Sequence, residues 1–217
     1  MADVFVGSDA VRQGKLSPYQ LRSRFRAVHH DVYVPRFTAL SLRDRSVAAW
    51  LWSGRGGTLA GVAAAGMHGS DWIADDEPIE LIWRNRHSPA GVITRNQRLG
   101  VDEVTRIAGL PVTTPARTAF DLGRQLRRGQ AVARLDALAR ATPFPTADVL
   151  MLAKRHPGAR GLRQLREVLP LLDGWQLVGL LDMGWQEFKV AAEYDGDQHR
   201  SDRRQYVKDI RRFTAMQ

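Results

Sequence analysis

Residues 175–200 have the sequence Trp-Gln-Leu-Val-Gly-Leu-Leu-Asp-Met-Gly-Trp-Gln-Glu-Phe-Lys-Val-Ala-Ala-Glu-Tyr-Asp-Gly-Asp-Gln-His-Arg. Leu177–Met183 and Phe188–Tyr194 are short apolar runs separated by a Gly-Trp-Gln-Glu turn, which predicts a β-hairpin with at least one buried face. Asp182 closes the first predicted strand and Glu193 closes the second. Because an unpaired carboxylate is costly to bury, we expect a positive charge beside these acids.

Ionisable side chains continue beyond the second predicted strand. Two further acids, Asp195 and Asp197, and then His199 follow Glu193 at every second position. Two carboxylates from neighbouring strands, with a third acid or a histidine close by, form an oxygen-rich pocket suited to Mg2+. Such an ion can polarise a phosphoryl oxygen and orient an attacking water. The alternative is that these acids only cap turns or pair with arginines.

The order of these residues, Asp182 followed by Glu-Tyr-Asp-Gly-x-x-His from Glu193 to His199, resembles the PD-(D/E)XK nuclease superfamily. The resemblance is to its very-short-patch-repair-like (Vsr-like) branch of endonucleases. It implies that Asp182 and Glu193 hold Mg2+, that Asp195 is a further acid of the catalytic site, and that His199 carries a proton or contacts phosphate.

Two departures from that family bear on activity. The family has another glutamate on an earlier helix, whereas Glu167 is the only acid in the helix that precedes the hairpin here, and its segment does not resemble the glutamate helix. The family also continues into a further strand and helix after the basic segment. We therefore expect a shortened, C-terminally truncated endonuclease-like domain, whose activity is left open.

A basic helix is predicted after the hairpin, with Ser201 as its cap. Its cationic side chains would lie beside the acids, where they would neutralise the carboxylates or hold a phosphate. The residues predicted to contact nucleic acid in this part of the chain are Arg200, Arg204 and Lys208.

Composition restricts the class of protein. The 217 residues are 44% hydrophobic, enough for one large domain or two small ones with packed cores. The absence of cysteine excludes disulfides and cysteine-ligated zinc. The chain start lacks the pattern of a signal peptide, and the longest apolar run, Leu59–Met67, is too short to span a bilayer. We therefore expect a cytoplasmic protein with no membrane partner.

The net charge of +9 indicates a polyanionic partner. Basic residues are concentrated near both ends of the chain, and Asp71–Glu80 contains five acids and no base. This asymmetry predicts a preferred binding face, and DNA is the expected partner.

The N-terminal residues have the pattern of a winged helix. Residues 8–22 predict two short helices around a Gly14-Lys15 turn, with Ser17 as the cap of the second. Arg24–Val34 then alternates like a hairpin that ends at Pro35. In a winged helix one helix enters a groove and the wing touches phosphate. The predicted contacts are Arg22, Arg24, Arg26 and His29; the alternative is a basic helix and hairpin used only for packing.

Two parts of the chain contain segments that resemble antitoxins of the abortive-infection (type IV toxin–antitoxin) class. One is the Asp-Val-Tyr-Val-Pro sequence that ends at Pro35. The other is a set of segments in the middle of the chain: Leu-Ala-Gly at 59–61, the strand Glu80–Trp83, and Pro111–Leu122. The resemblance implies regulation, DNA binding and a cognate toxin or other protein partner.

The middle of the chain predicts helices at 41–52, 58–67, 116–126, 130–141, 146–156 and 161–172. Pro78–Trp83 and Gly91–Arg95 are predicted to form a hairpin with a basic tip. Thr114 and Thr146 are predicted helix caps. Arg117 and Asp121, one helical turn apart, would be either an ion pair on the helix surface or functional groups.

Together these patterns predict an α+β or α/β chain in three parts. Residues 1–40 form a winged-helix-like basic module, 41–157 an antitoxin-like domain with a helical hairpin, and 161–217 a partial restriction-endonuclease-like domain. The main functional hypothesis is a DNA-associated protein with an Mg2+-dependent phosphodiesterase domain, inactive if the missing elements are essential. The alternatives are a non-catalytic DNA-binding regulator of antitoxin type and a decayed product with neither role.

Overall fold

The structure, a computed structural model, describes residues 3–84 and 87–172, together with the backbone of two strands at 183–185 and 190–192. The chain divides into two compact units, Met1–Leu172 and Asp173–Gln217. The predicted mixture of helices and strands is confirmed. In the described part of the chain, no helix has the length and apolar character needed to cross a bilayer.

The N-terminal module has the predicted order of two helices and a hairpin. Its antiparallel sheet has the strand order β1-β3-β2, which is the arrangement of a winged helix. The elements are β1 Phe5–Val6, α1 Gly7–Arg12, α2 Pro18–Arg24, β2 Phe25–His29 and β3 Val32–Pro35.

Local sequence explains why α2 begins where it does. Gly14 has a φ of +68°, a left-handed conformation that glycine adopts without steric cost, and it turns the chain after α1. Ser17 then forms a capping box with Gln20: its hydroxyl accepts from the Gln20 amide, and the Ser17 amide donates to Gln20 Oε1. Pro18 occupies the first turn, where no intrahelical donor is needed.

A five-stranded mixed sheet forms the centre of the first unit, in the order β6-β5-β4-β8-β7. Leu59, Leu81 and Val112, from three adjacent strands, are fully buried and begin the apolar core. The strands are β4 Thr58–Ala60, β5 Ile79–Ile82, β6 Val92–Arg95, β7 Val104–Ile107 and β8 Leu110–Thr113.

Helices cover this sheet and build a second core. Residues of α3 and α4 pack against the strands, while α4 to α8 share a separate apolar cluster that includes Phe120, Leu135 and Leu165. The helices are α3 Leu42–Trp52, α4 Gly61–Met67, α5 Pro115–Gln125, α6 Arg128–Ala141, α7 Thr146–Arg155 and α8 Leu162–Leu172. Thr114 caps α5 as predicted, but Thr146 does not cap α7; Pro145 occupies that position without a side-chain bond.

The prediction of one helix over 58–67 was wrong in its first turn. Thr58–Ala60 is the central strand β4, and α4 begins at Gly61. Gly61 has a φ of +56°, so the backbone changes direction there. This left-handed conformation favours glycine, and a Cβ would in addition meet the Glu80 carboxylate, which Arg95 holds in place.

The prediction of a hairpin between Pro78–Trp83 and Gly91–Arg95 was also wrong. Strands β5 and β6 are present, but they pair in parallel, with Ile79 opposite Val92 and Ile82 opposite Arg95. All four residues of β5 are buried, the pattern of a parallel strand covered on both faces. The segment between the strands therefore returns to the start of β5 and does not form a basic hairpin tip.

Helix α8 is part of the first unit. Leu165 and Val168 of this helix are fully buried in the cluster that contains Phe120 of α5. The structure therefore places 161–172, assigned by the sequence to the third part of the chain, with the antitoxin-like region. The three-part division otherwise remains a prediction.

A short antiparallel hairpin is present in the second unit, as predicted. Strand β9, Met183–Trp185, pairs with β10, Val190–Ala192, and Met183 lies opposite Ala192. Gly184 and Trp185, predicted in the turn, belong to β9. The remaining residues of the predicted strands lie outside the described part of the chain.

Candidate nucleic-acid interface

Helix α2 presents arginines on its solvent side. Leu21 is the buried residue that attaches the helix to the module, while Arg22 and Arg24 are exposed. Tyr19, 73% exposed, lies one turn before Arg22 on the same face. In a helix-turn-helix unit, the second helix is the one that enters the major groove.

The hairpin that follows adds two arginines beside this helix. Arg26 lies on β2, exposed, and its Nη2 donates to the Thr38 carbonyl at 3.0 Å. The pairing of Phe25 with Pro35 brings the next residue, Arg36, beside the helix end. The Arg36 amide donates to the Arg24 carbonyl at 3.1 Å, and the guanidinium donates to the Arg22 carbonyl at 3.0 Å.

Four exposed arginines of α2 and the adjoining hairpin, Arg22, Arg24, Arg26 and Arg36, are together called the α2-hairpin surface. Among the residues that the structure describes, none of the four forms a salt bridge with a carboxylate. Exposed guanidinium groups without a carboxylate partner, at a helix end and hairpin edge, can bind phosphate. Sequence reasoning missed Arg36, although the predicted hairpin register could have placed it beside Arg24.

His29 does not join this surface, contrary to the sequence hypothesis. Its ring is half-buried and lies 6.1 Å, centroid to centroid, from the Trp52 ring of α3. Burial and the nearby Arg45 guanidinium lower the pKa of His29 below its ordinary value. A half-buried, neutral ring packed on tryptophan contributes to the attachment of the module and not to phosphate binding.

The tip of the hairpin is fixed to the start of α1. Asp31 has a φ of +60°, a left-handed conformation that aspartate tolerates better than most residues. Its carbonyl accepts from the Gly7 amide and its carboxylate accepts from the Ser8 amide, both at 2.9 Å. These bonds join the tip of the hairpin directly to α1.

The other predicted site residues, Asp182, Glu193, Asp195, His199, Arg200, Arg204 and Lys208, lie outside the described residues. Their roles, and that of Mg2+, remain predictions. Within the described ranges, no group of three or more His, Asp or Glu side chains could hold a metal ion.

Arg117 and Asp121 form an ion pair, but it is buried and not on a helix surface. Their side chains are 1% and 2% exposed, and Arg117 Nε donates to Asp121 Oδ2 at 3.0 Å. Arg117 also donates to Glu103, and Arg124 donates to the second oxygen of Asp121. A buried charge needs such compensation, so these residues connect α5 to the loop before β7.

Glu103 is the second carboxylate of this network. His156 Nε2 lies 2.8 Å from Glu103 Oε1, and Arg117 donates to the other oxygen. Burial alone would raise the pKa of Glu103, but the hydrogen bonds from His156 and Arg117 outweigh it and hold the pKa below its ordinary value. The carboxyl is therefore ionised at neutral pH.

Comparisons with known proteins add two findings. A family model described as the AbiEi antitoxin C-terminal domain matches residues 59–171. Two uncharacterized proteins of Mycobacterium tuberculosis, from strains CDC 1551 / Oshkosh and ATCC 25618 / H37Rv, are each 28% identical over 163 residues. The match covers 61% of this chain and 60% of each relative, so the chain spans about 60% of the length of these curated relatives.

Proposed function

The chain belongs to the AbiEi antitoxin C-terminal domain family, and from this premise we propose that it is a DNA-binding regulator of antitoxin type. The N-terminal module binds DNA, and the family domain at 59–171 acts with a cognate toxin. This was the alternative hypothesis from the sequence, and the family match favours it over the phosphodiesterase.

The observation that carries the DNA-binding proposal is the α2-hairpin surface. Its arginines come from a recognition-type helix and from the hairpin beside it, the two parts of a winged helix that contact DNA. Hydrogen bonds from Arg36 to the main chain of α2 hold helix and hairpin together. Phosphate contacts from both would set the orientation of the module on a duplex.

The test measures the affinity of the purified chain for a fluorescein-labelled short duplex by anisotropy. We expect Arg22→Gln/Arg24→Gln to weaken binding about tenfold at moderate salt, because two phosphate contacts are lost. The matched control, Arg127→Gln/Arg166→Gln, removes two charges from exposed positions of the helical region. Equal loss of affinity in both double variants would show that net charge, and not the module, determines binding.

A second candidate function is Mg2+-dependent phosphodiester hydrolysis by the second unit. One observation favours it: β9 and β10 pair as antiparallel neighbours, and in the sequence Asp182 directly precedes the first of these strands and Glu193 directly follows the second. Carboxylates so placed suit Mg2+, with Asp195 and His199 as further site residues and Arg200, Arg204 and Lys208 holding the phosphodiester.

Cleavage of a supercoiled plasmid tests this second function. Mg2+-dependent nicking that disappears in Asp182→Ala would support it. DNA binding that survives Asp182→Ala, without nicking by the wild-type chain, would support the regulator alone.

A further inference from the structure

A cleft of about 890 Å3 lies on the first unit, and the Arg117 network described above forms part of its wall. It is bounded by the loop after β6, by α5 and by the segment after α7. Its volume is within the range of small-molecule sites. Within the described part of the chain, no carboxylate lines the cleft, and apart from His156 its ionisable lining residues are all arginines: Arg95, Arg98, Arg117, Arg124, Arg155 and Arg160.

Two of these arginines, Arg117 and Arg124, are held in place by neighbouring side chains of the first unit. Gln97 Oε1 accepts from Arg117 Nη2 at 2.6 Å and from Arg124 Nη2 at 2.8 Å, and both guanidinium groups bind Asp121. The Phe120 ring lies beneath both, 5.4 Å from the Arg117 guanidinium carbon and 4.8 Å from that of Arg124. A ligand would therefore meet cations that are already ordered, so binding costs little side-chain entropy.

The network leaves hydrogen-bond donors unused. Arg124 donates through Nε and Nη2, and its Nη1 has no partner in the part of the chain that the structure describes. The side chain is only 7% exposed. Because Arg124 lines the cleft, these N–H groups are available to an acceptor that binds there, and an anionic oxygen is the strongest one.

The mouth of the cleft carries two further cations. Arg98 and Arg160 are exposed, and within the described ranges neither side chain has an acidic partner. The other four lining arginines each have a carboxylate partner. Glu80 pairs with Arg95 and Asp102 with Arg155, while Glu103 and Asp121 pair with Arg117 and Arg124. The excess is two positive charges, which suits a ligand with at least two negative ones.

We propose that this cleft binds a small molecule that carries a di- or triphosphate group. Arg124 Nη1 holds one phosphate oxygen at the cleft wall, and Arg98 and Arg160 close on the outer oxygens. The concave shape and the limited volume favour a small ligand over a duplex, whose backbone requires an extended surface. Phe120 is 1% exposed and contacts the arginines, so the phosphates and not a stacked base carry recognition.

Isothermal titration calorimetry of the full chain with inorganic pyrophosphate, and separately with ATP, tests the proposal. We expect saturable binding of one equivalent, weakened about tenfold by Arg98→Gln/Arg160→Gln. The control Arg127→Gln/Arg166→Gln, which removes the same charge outside the cleft, should change the dissociation constant less than about twofold. Arg124→Lys retains the charge but loses the fork and should also weaken binding. Thermal unfolding of each variant verifies the fold.

Three results would overturn the proposal. The first is absence of saturable binding by either probe. The second is equal binding of sulfate at matched ionic strength, which identifies an adventitious ion only. The third is loss of DNA affinity in Arg98→Gln/Arg160→Gln together with competition between DNA and pyrophosphate, which assigns the cleft to the nucleic-acid surface. The DNA-binding proposal is independent, because it rests on residues of the N-terminal module.

Discussion

Arg36 Nη2 donates a hydrogen bond to the main-chain carbonyl of Arg22 at 3.0 Å. This contact joins the end of the hairpin to the last turn of α2, and it brings the Arg36 guanidinium to the backbone of a residue 14 positions earlier in the chain. The basic surface therefore depends on how β3 is paired as much as on how many arginines the N-terminal residues contain.

Arg36 is predicted to contribute to DNA affinity although it lies beyond the predicted winged-helix hairpin. Arg36→Gln removes one phosphate contact and should weaken duplex binding by a few-fold, with a decrease of about 0.9 in the slope of log affinity against log salt. Fluorescence anisotropy across a salt series measures both quantities. An unchanged slope would exclude Arg36 from the interface.

Glu103 is predicted to be a main stabilising residue of the first unit. Glu103→Gln leaves buried Arg117 with one carboxylate instead of two, and should lower the free energy of unfolding by about 3 kcal/mol. The exposed Glu167→Gln is the control and should change it by less than about 0.5 kcal/mol. Urea unfolding followed by circular dichroism measures the difference.

The effect of Glu103→Gln should depend on pH. The pKa of Glu103 is lower in the folded chain than its ordinary value of 4.5, so its stabilising contribution is complete above that value. It is lost as pH falls through the folded pKa. Wild type and variant should converge in stability at acid pH; a constant difference would show that the charge of Glu103 is not the cause.

Asp136 should behave in the opposite way. Burial raises its pKa to about 6, against the opposing effect of Arg140. An acid whose folded pKa lies above its unfolded value destabilises the fold as pH rises between the two values. Asp136→Asn should therefore stabilise the chain at pH 7.5 by roughly 1.5 kcal/mol, a value reduced for the partial exposure of the group.

The gain from Asp136→Asn should shrink as the pH falls from 7 toward 4, because the wild-type carboxyl is then protonated in the folded state. Melting temperatures of both proteins across this range measure it. A gain that is constant with pH would assign the effect to packing instead of charge.

Gly61 is predicted to be intolerant of any side chain. Its φ of +56° and its contact with the Glu80 carboxylate mean that Gly61→Ala combines backbone strain with overlap. We expect a loss of about 2–4 kcal/mol in the free energy of unfolding. Gly129→Ala is the control: this helical position has open space around its Cβ and should gain stability by up to about 1 kcal/mol. Similar effects at both positions would contradict the account of the β4–α4 junction.

Features set by local sequence could be predicted. Ser17 and Ser41 each precede a helix with a polar residue three positions later, and both form capping boxes. The hairpin before Pro35 follows from alternation of residue type and a short turn. Helices α5 to α8 follow from apolar periodicity.

Features set by long-range pairing could not be predicted. The direction of β6 relative to β5 depends on where the chain returns, and no local pattern encodes it. The short apolar segment that begins at Thr58 fits a strand or a helix equally well by periodicity. Arg117 lies on an amphipathic helix, and the helical pattern does not reveal that its side chain is buried. Its partner Glu103, and His156 that bonds to Glu103, are both distant in sequence.

The proposed function rests on DNA binding through the α2-hairpin surface of the N-terminal module. The most direct measurement is the salt dependence of duplex affinity for the wild-type chain and for Arg22→Gln/Arg24→Gln. We expect a linear decrease of log affinity with log salt in the wild type, and a slope smaller by about two in the variant. Identical slopes for the two proteins, or no salt-dependent binding by the wild type, would contradict it.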